Sequence, residues 1–212
     1  MTFFLPVFPL ELVVYPGEKL NLHIFEPRYR QLIIECHEKN IPFGIPAVME
    51  KKPTELGTLV HLKEIVKVYE DGKMDIKTEG QSVFHVLEYV KEIPDKLYSG
   101  AIVTSVPNFL NGSKAMMKRI LDDIRTLFRE LGIEKAFGKS EEMLMSFDVA
   151  HHIGMSIEDE YQLLEYENEL HRQEYIKRHL QRLLSTLKDV SALKERVKLN
   201  GHFKDLSGFN FS

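Results

Sequence analysis

The feature that most constrains this chain is a change of hydrophobic period at Asn111-Gly112-Ser113. Ahead of it apolar and polar residues alternate. Met74, Ile76 and Thr78 share one face while Lys73, Asp75, Lys77 and Glu79 share the other, the pattern of a half-buried strand. Behind it Met117, Ile120, Leu121, Ile124, Leu127, Phe128 and Leu131 recur at helical spacing and form one amphipathic stripe. The spacing predicts an α+β chain: a strand-rich unit over residues 1–110, a helical unit over 111–199, and a mobile tail over 200–212.

Within the first unit, prolines and glycines mark the strand ends. Pro6 and Pro9 remove ladder donors, so residues 5–14 suit an edge or the start of a strand. Tyr15-Pro16-Gly17-Glu18 places proline and glycine where a type II turn takes them, and residues 20–24 alternate after it. Pro27 opens a short helix whose Tyr29, Leu32, Ile33 and Cys36 share one face. Strands follow at residues 42–48 and beyond Gly57, where Val60, Leu62, Val66 and Val68 share one parity and Glu64 interrupts it at a bulge or rim. Asp71-Gly72 turns the chain back, Gly80 permits a kink before residues 83–90, and residues 98–106 end the series. About six short strands with one early helix point to a small closed or nearly closed sheet.

In the second unit Ser113 is placed to cap the first long helix and Gly132 to end it. A second helix is predicted over residues 141–153, capped by Ser140 and stopped by Gly154. Ser156-Ile157-Glu158-Asp159 has capping-box spacing and opens a third. Residues 166–198 contain neither proline nor glycine, and Ile176, Leu180, Leu183, Leu187 and Val190 step by alternating fours and threes. That is a long helix whose seam packs on its neighbours or, as the alternative, on a second copy in a homodimer.

Charge and composition exclude several function classes. Lysine plus arginine number 28 against 32 aspartate plus glutamate, a net charge of −4, so no general basic field exists to condense on phosphates or an anionic bilayer. Nucleic acid is therefore disfavoured. No apolar run reaches the about 18 residues a membrane span needs, and the amino terminus lacks a cationic export region, so the cytoplasm is the expected compartment. The single Cys36 has no disulfide partner in the chain and reads as a buried thiol.

The chemistry-bearing patterns are weak. Residues 132–140 resemble a phosphate loop but carry five residues between Gly132 and Gly138 and follow a helix, so they read as a helix–helix connection. His151 and His152 are adjacent and point to different sides of a helix, and His171 and His179 lie eight apart, so no metal is expected. Glu158, Asp159, Glu160, Glu165, Glu167 and Glu169 read as a solvated acidic face. No Gly-x-Ser-x-Gly elbow occurs.

Leu5-Pro6-Val7-Phe8-Pro9-Leu10, Val14-Tyr15-Pro16-Gly17 and Leu22-His23-Ile24-Phe25-Glu26-Pro27-Arg28-Tyr29-Arg30 together resemble the substrate-recognition amino domain of Lon proteases, in the stand-alone form that many bacteria carry. Gly57-Thr58-Leu59-Val60, Asp71-Gly72 and Gly80 followed by Phe84 extend the likeness through residues 1–106. Met155-Ser156-Ile157 and Gln162-Leu163-Leu164-Glu165 echo it in the helical half. Val83 departs from it, since an arginine often precedes that aromatic in such sequences.

The resemblance implies a PUA-like β-barrel, then a helical bundle with a long C-terminal helix. It also implies a role in binding exposed apolar segments of unfolded or damaged proteins, with no cofactor. Neither the phosphate loop nor the serine–lysine peptidase of the full protease appears in the 212 residues, so a non-enzymatic chain is expected. An adaptor that delivers clients to a separate protease and an RNA-binding PUA-like protein are the alternatives. The residues carrying the resemblance, Pro6, Pro9, Pro16, Gly17, Phe25, Glu26, Pro27, Arg28, Tyr29, Gly57 and Gly80, are expected to serve mostly the fold. Phe25 and Tyr29 are expected in the core, Glu26 as a helix cap, and Arg28 or Arg30 beside a carboxylate. The sequence assigns no peptide-contact residue.

Overall fold

Strands come first and helices second in the computed structural model, which describes the backbone of residues 1–206 and the side chains of residues 1–190. β1 (Thr2–Pro6), β2 (Lys19–Ile24), α1 (Pro27–Lys39), β3 (Phe43–Met49), β4 (Lys52–Val68), β5 (Met74–Val90) and β6 (Gly100–Ser105) precede α2 (Lys114–Leu131), α3 (Ser146–Ala150), α4 (Ile157–Glu165) and α5 (Glu169–Leu206). This is the α+β order that the change of period predicts.

The strands pair antiparallel in the order β1-β6-β5-β4-β3, with β2 also on β5. Residues just past β1 then meet β3. The Phe8 amide donates to the Gly44 carbonyl at 2.8 Å, and the Val48 amide to the Leu10 carbonyl at 2.7 Å. These parallel bridges return the sheet on itself as a small barrel, filled by Leu5, Val7, Phe84, Val86, Ala101 and Val103. α1 covers a second apolar cluster, burying Tyr29, Leu32, Ile33 and Cys36 against Phe43, Val60 and Ile76. Burial pushes the Cys36 thiol up to about 12, which keeps it protonated and inert.

β5 changes partner along its length, lying on β2 before Gly80 and on β6 after it. At the changeover the Gly17 amide donates to the Gly80 carbonyl at 2.8 Å, and the Gly80 amide to the Glu18 carbonyl at 2.9 Å. A Cβ on Gly80 would overlap the Tyr15 carbonyl oxygen, so glycine is what lets the turn close on the strand. The turn itself has the expected form, with Gly17 at φ +84.

β4 breaks the parity read from its sequence. Register shifts at Leu62/Glu64, where Glu64 marks a bulge, and at Ile65/Lys67 each insert an extra residue in β4. Val60, Leu62 and Ile65 therefore lie opposite Gly80, Thr78 and Ile76, Val66 is turned out to solvent, and Val68, opposite Met74 at the hairpin end, is exposed. The helix predicted over residues 141–153 is also two pieces, a 3-10 turn at Glu141–Met143 and then α3, with Leu144 and Met145 extended between them. The Asp148 carboxylate accepts from the Met145 amide at 2.9 Å and starts a new helix there, whereas the Ser140 side chain caps nothing. α2 follows the prediction: the Ser113 hydroxyl accepts from the Met116 amide at 3.2 Å, and Gly132 ends the helix at φ +66.

α5 continues through Asn200-Gly201, where the tail is predicted to begin, and the rest of that tail, residues 207–212, lies outside the described residues. Its seam serves the core: Ile176 and Leu180 are fully buried, Leu183 and Leu187 pack on the same cluster, and Val190 is exposed. That cluster also takes Val13, Tyr15, Ala47, Leu56 and Val83 from the strand half. Val83, the departure noted above, thus faces the helices. Among the described residues no helix is long and apolar enough to cross a membrane.

Candidate functional site

The strand and helical halves meet at Tyr15. Its ring stacks on Phe147 with centroids 4.7 Å apart, and its hydroxyl donates to the Glu160 carbonyl at 2.9 Å. Nearby, the Leu56 amide donates to the Tyr161 hydroxyl at 3.0 Å. His151 stands between Glu160 Oε1 at 2.8 Å and Glu18 Oε2 at 3.2 Å, one carboxylate from each half.

Burial works to lower the His151 pKa, but hydrogen bonds and charge from Glu160 and Glu18 outweigh it and raise the value from 6.5 to about 9. A raised value means that the folded state holds the proton more tightly. The stabilisation is complete below 6.5 and is lost as pH rises towards about 9. The stability gap between the protein and His151→Gln is therefore expected to shrink across that window. Urea melts from about pH 6 to about pH 9.5 read it, and a gap that ignores pH removes the ion-pair account.

Alongside α2 lies a groove of about 800 Å³. Met117 and Leu121 of α2 form one wall, Met143, Leu144 and Met145 form the other, and Leu110 stands at the mouth. The second wall exists because Asp148 restarts the helix after Met145, which leaves residues 144 and 145 extended along the cleft. Leu110 and Met143 are 62% and 69% exposed, and the neighbouring Phe109 is 55% exposed. Clustered apolar exposure within a polar rim marks a binding surface. Methionine side chains, unbranched and polarizable, repack around partners of different shape.

A buried polar network pins the segment leading into the groove. Glu169 and Arg172 have side chains only 1% exposed. Glu169 accepts from the Ser146 amide at 2.8 Å and the Ser146 hydroxyl at 2.6 Å. Arg172 donates to Glu169 Oε2 at 3.0 Å, to the Tyr166 carbonyl at 2.5 Å and to Asn108 Oδ1 at 2.8 Å, with its guanidinium over the Phe147 ring. Gln173 accepts from the Ser113 amide at 2.8 Å. Glu169 is therefore no part of a solvated acidic face, and every buried side-chain polar atom among the described residues has a partner.

The residues that carry the resemblance lie elsewhere, in the barrel. Pro6 ends β1 and Pro9 falls between the two bridges that close the sheet. Pro16 and Gly17 form the turn against Gly80, and Gly57 sits where a Cβ would strike the Phe84 ring and the Pro46 backbone. Tyr29 is buried against Phe8 at a 4.0 Å centroid separation.

Phe25 is not core: it is 58% exposed, because Ile24 takes the inward position and the chain leaves β2 at the next residue. Glu26 occupies the N-cap position of α1, which Pro27 opens, without a side-chain cap bond; its carboxylate accepts instead from Arg28 Nε at 2.9 Å. Arg30 donates to the Asp71 carbonyl at 2.7 Å.

The histidines go separate ways. His152 meets Lys135 at 2.9 Å and His179 meets the Ile153 carbonyl at 2.9 Å. Among the described residues no three of His, Cys, Asp and Glu gather as a metal site. The groove residues left one trace in the sequence, the crowding of Met116, Met117, Met143, Met145 and Met155, five of the eight methionines, into the helical half.

Residues 4–182 match the family described as the ATP-dependent protease La (LON) substrate-binding domain. Among solved structures the chain is similar to a Lon N-terminal domain protein from Xanthomonas campestris, at 22% identity and a TM-score of 0.57, covering 86% of this chain and 98% of that one. It is also similar to the N-terminal domain of the Mycobacterium avium complex Lon protease, at 13% identity and a TM-score of 0.65, covering 84% of this chain and 98% of that one. At these identities the two likenesses show a shared fold. No curated protein matches the chain. With a sequence match that runs from β1 into α5 and a barrel followed by a bundle beneath it, the chain belongs to the LON substrate-binding domain family.

Proposed function

We propose that this chain binds exposed apolar segments of unfolded or damaged polypeptides in the groove between α2 and residues 143–145, and that it does so without cleaving them. The observation that carries this reading is the methionine-lined cleft of about 800 Å³ with Leu110 and Met143 standing exposed at its mouth. Short flexible segments lose ordering entropy on docking, so each contact is weak and long or aggregated clients, which offer several segments, are held best.

Reduced, carboxymethylated lactalbumin is a permanently unfolded probe. Its fluorescence anisotropy is expected to rise on titration with this protein. The double variant Leu110→Asp, Met143→Asp replaces two exposed side chains and is expected to bind at least about tenfold more weakly while melting at the same temperature. Binding unchanged in that variant would place the site elsewhere. Cleavage of the probe in the presence of ATP, persisting through further purification, would overturn the non-catalytic reading.

A further inference from the structure

We infer that the groove selects apolar segments carrying acidic residues at one end, the end that meets Lys114 and Lys118. This rests on the binding role proposed above and adds a charge rule to it. Lys114 and Lys118 lie one helical turn apart on the rim of the groove, both exposed. Neither makes an ion pair among the described residues, and the first turn of α2 holds no acidic residue to neutralise them.

The other end of the groove has the opposite character. Arg125 is held by Asp122 and Glu141, each at 2.5 Å, and Glu142 adds a further exposed carboxylate. The cleft is thus positive where α2 begins and neutral to negative a few turns later, with the buried apolar side chains Met117, Leu121 and Leu144 of its two walls between. From Lys114 to Arg125 α2 rises about 16 Å, room for about five extended residues. A segment of that length fits with its apolar side chains between the two walls and its carboxylates against the two lysines. The net charge of −4 would by itself favour basic peptides, so a preference for acidic ones reports the local rim.

Three short fluorescent peptides test this. They share one apolar core, have blocked termini, and end in two aspartates, two asparagines or two lysines. At low salt the aspartate peptide is expected to bind about tenfold more tightly than the lysine peptide, and the difference should fade as salt shortens the Debye length to a few ångströms. The preference is expected to vanish in Lys114→Gln, Lys118→Gln and to reverse in Lys114→Glu, Lys118→Glu.

Equal binding of all three peptides by the unaltered protein overturns the charge rule and leaves the groove reading in place. Binding of none overturns both. A preference for aspartate that survives in the variants overturns its assignment to these lysines.

Discussion

Arg172→Met is expected to lower the stability of this protein by about 3–5 kcal/mol, read as a shift of the urea midpoint followed by circular dichroism. The methionine fills much of the space but donates nothing. It leaves the Glu169 carboxylate buried beside Ser146 without its counter-charge, and it strips Asn108 Oδ1 and the Tyr166 carbonyl of their donor. Removing both charges at once, in Glu169→Leu, Arg172→Met, is expected to cost less than the single change, because no uncompensated ion then remains. A loss under about 1 kcal/mol for the single variant would show that the network does not hold this corner of the fold.

The second large effect is expected at Tyr15. Its side chain is 1% exposed and belongs to the cluster that spans both halves of the molecule. Tyr15→Ala is expected to cost about 3–5 kcal/mol through the cavity it leaves beneath Phe147. Tyr15→Phe keeps the stacked ring and loses only the hydrogen bond to the Glu160 carbonyl, an expected cost of about 1 kcal/mol. Calorimetry of the two variants separates ring from hydroxyl, and equal losses would refute a packing role for the ring.

What was legible in the sequence is what local chemistry decides. Pro16-Gly17, Asp71-Gly72, Ser113 and Gly132 act within four residues of themselves, and each stands in the turn or cap its residue type favours. The stripe read from Met117 to Leu131 likewise finds its core as far as Phe128, while Leu131, at the last turn of α2, is 51% exposed. Where the reading failed, distant partners or inserted residues decided.

Val66 is turned out by the bulge between Ile65 and Lys67, and Val68 lies exposed at the hairpin end opposite Met74; Glu64 signals one bulge but neither the second nor where the sheet stops covering the strand. Glu169 looked like one acid among many; its burial depends on Ser146, 23 positions earlier, and on Arg172, which in turn reaches Asn108, 64 positions away. The groove was illegible for a related reason. Its second wall depends on a helix restart set by Asp148, and only the crowding of methionines hinted at the adaptable surface that results.

β5 passes from one partner strand to another at Gly80, and this decides where the polypeptide tolerates being severed. A nick or permuted terminus along that strand leaves neither fragment with a complete set of neighbours. New ends placed between Gly132 and Ser140 interrupt no ladder and no long helix. Reporters, tethers and circular permutants of this molecule therefore belong in that connection, well clear of the ribbon on which the whole barrel is threaded.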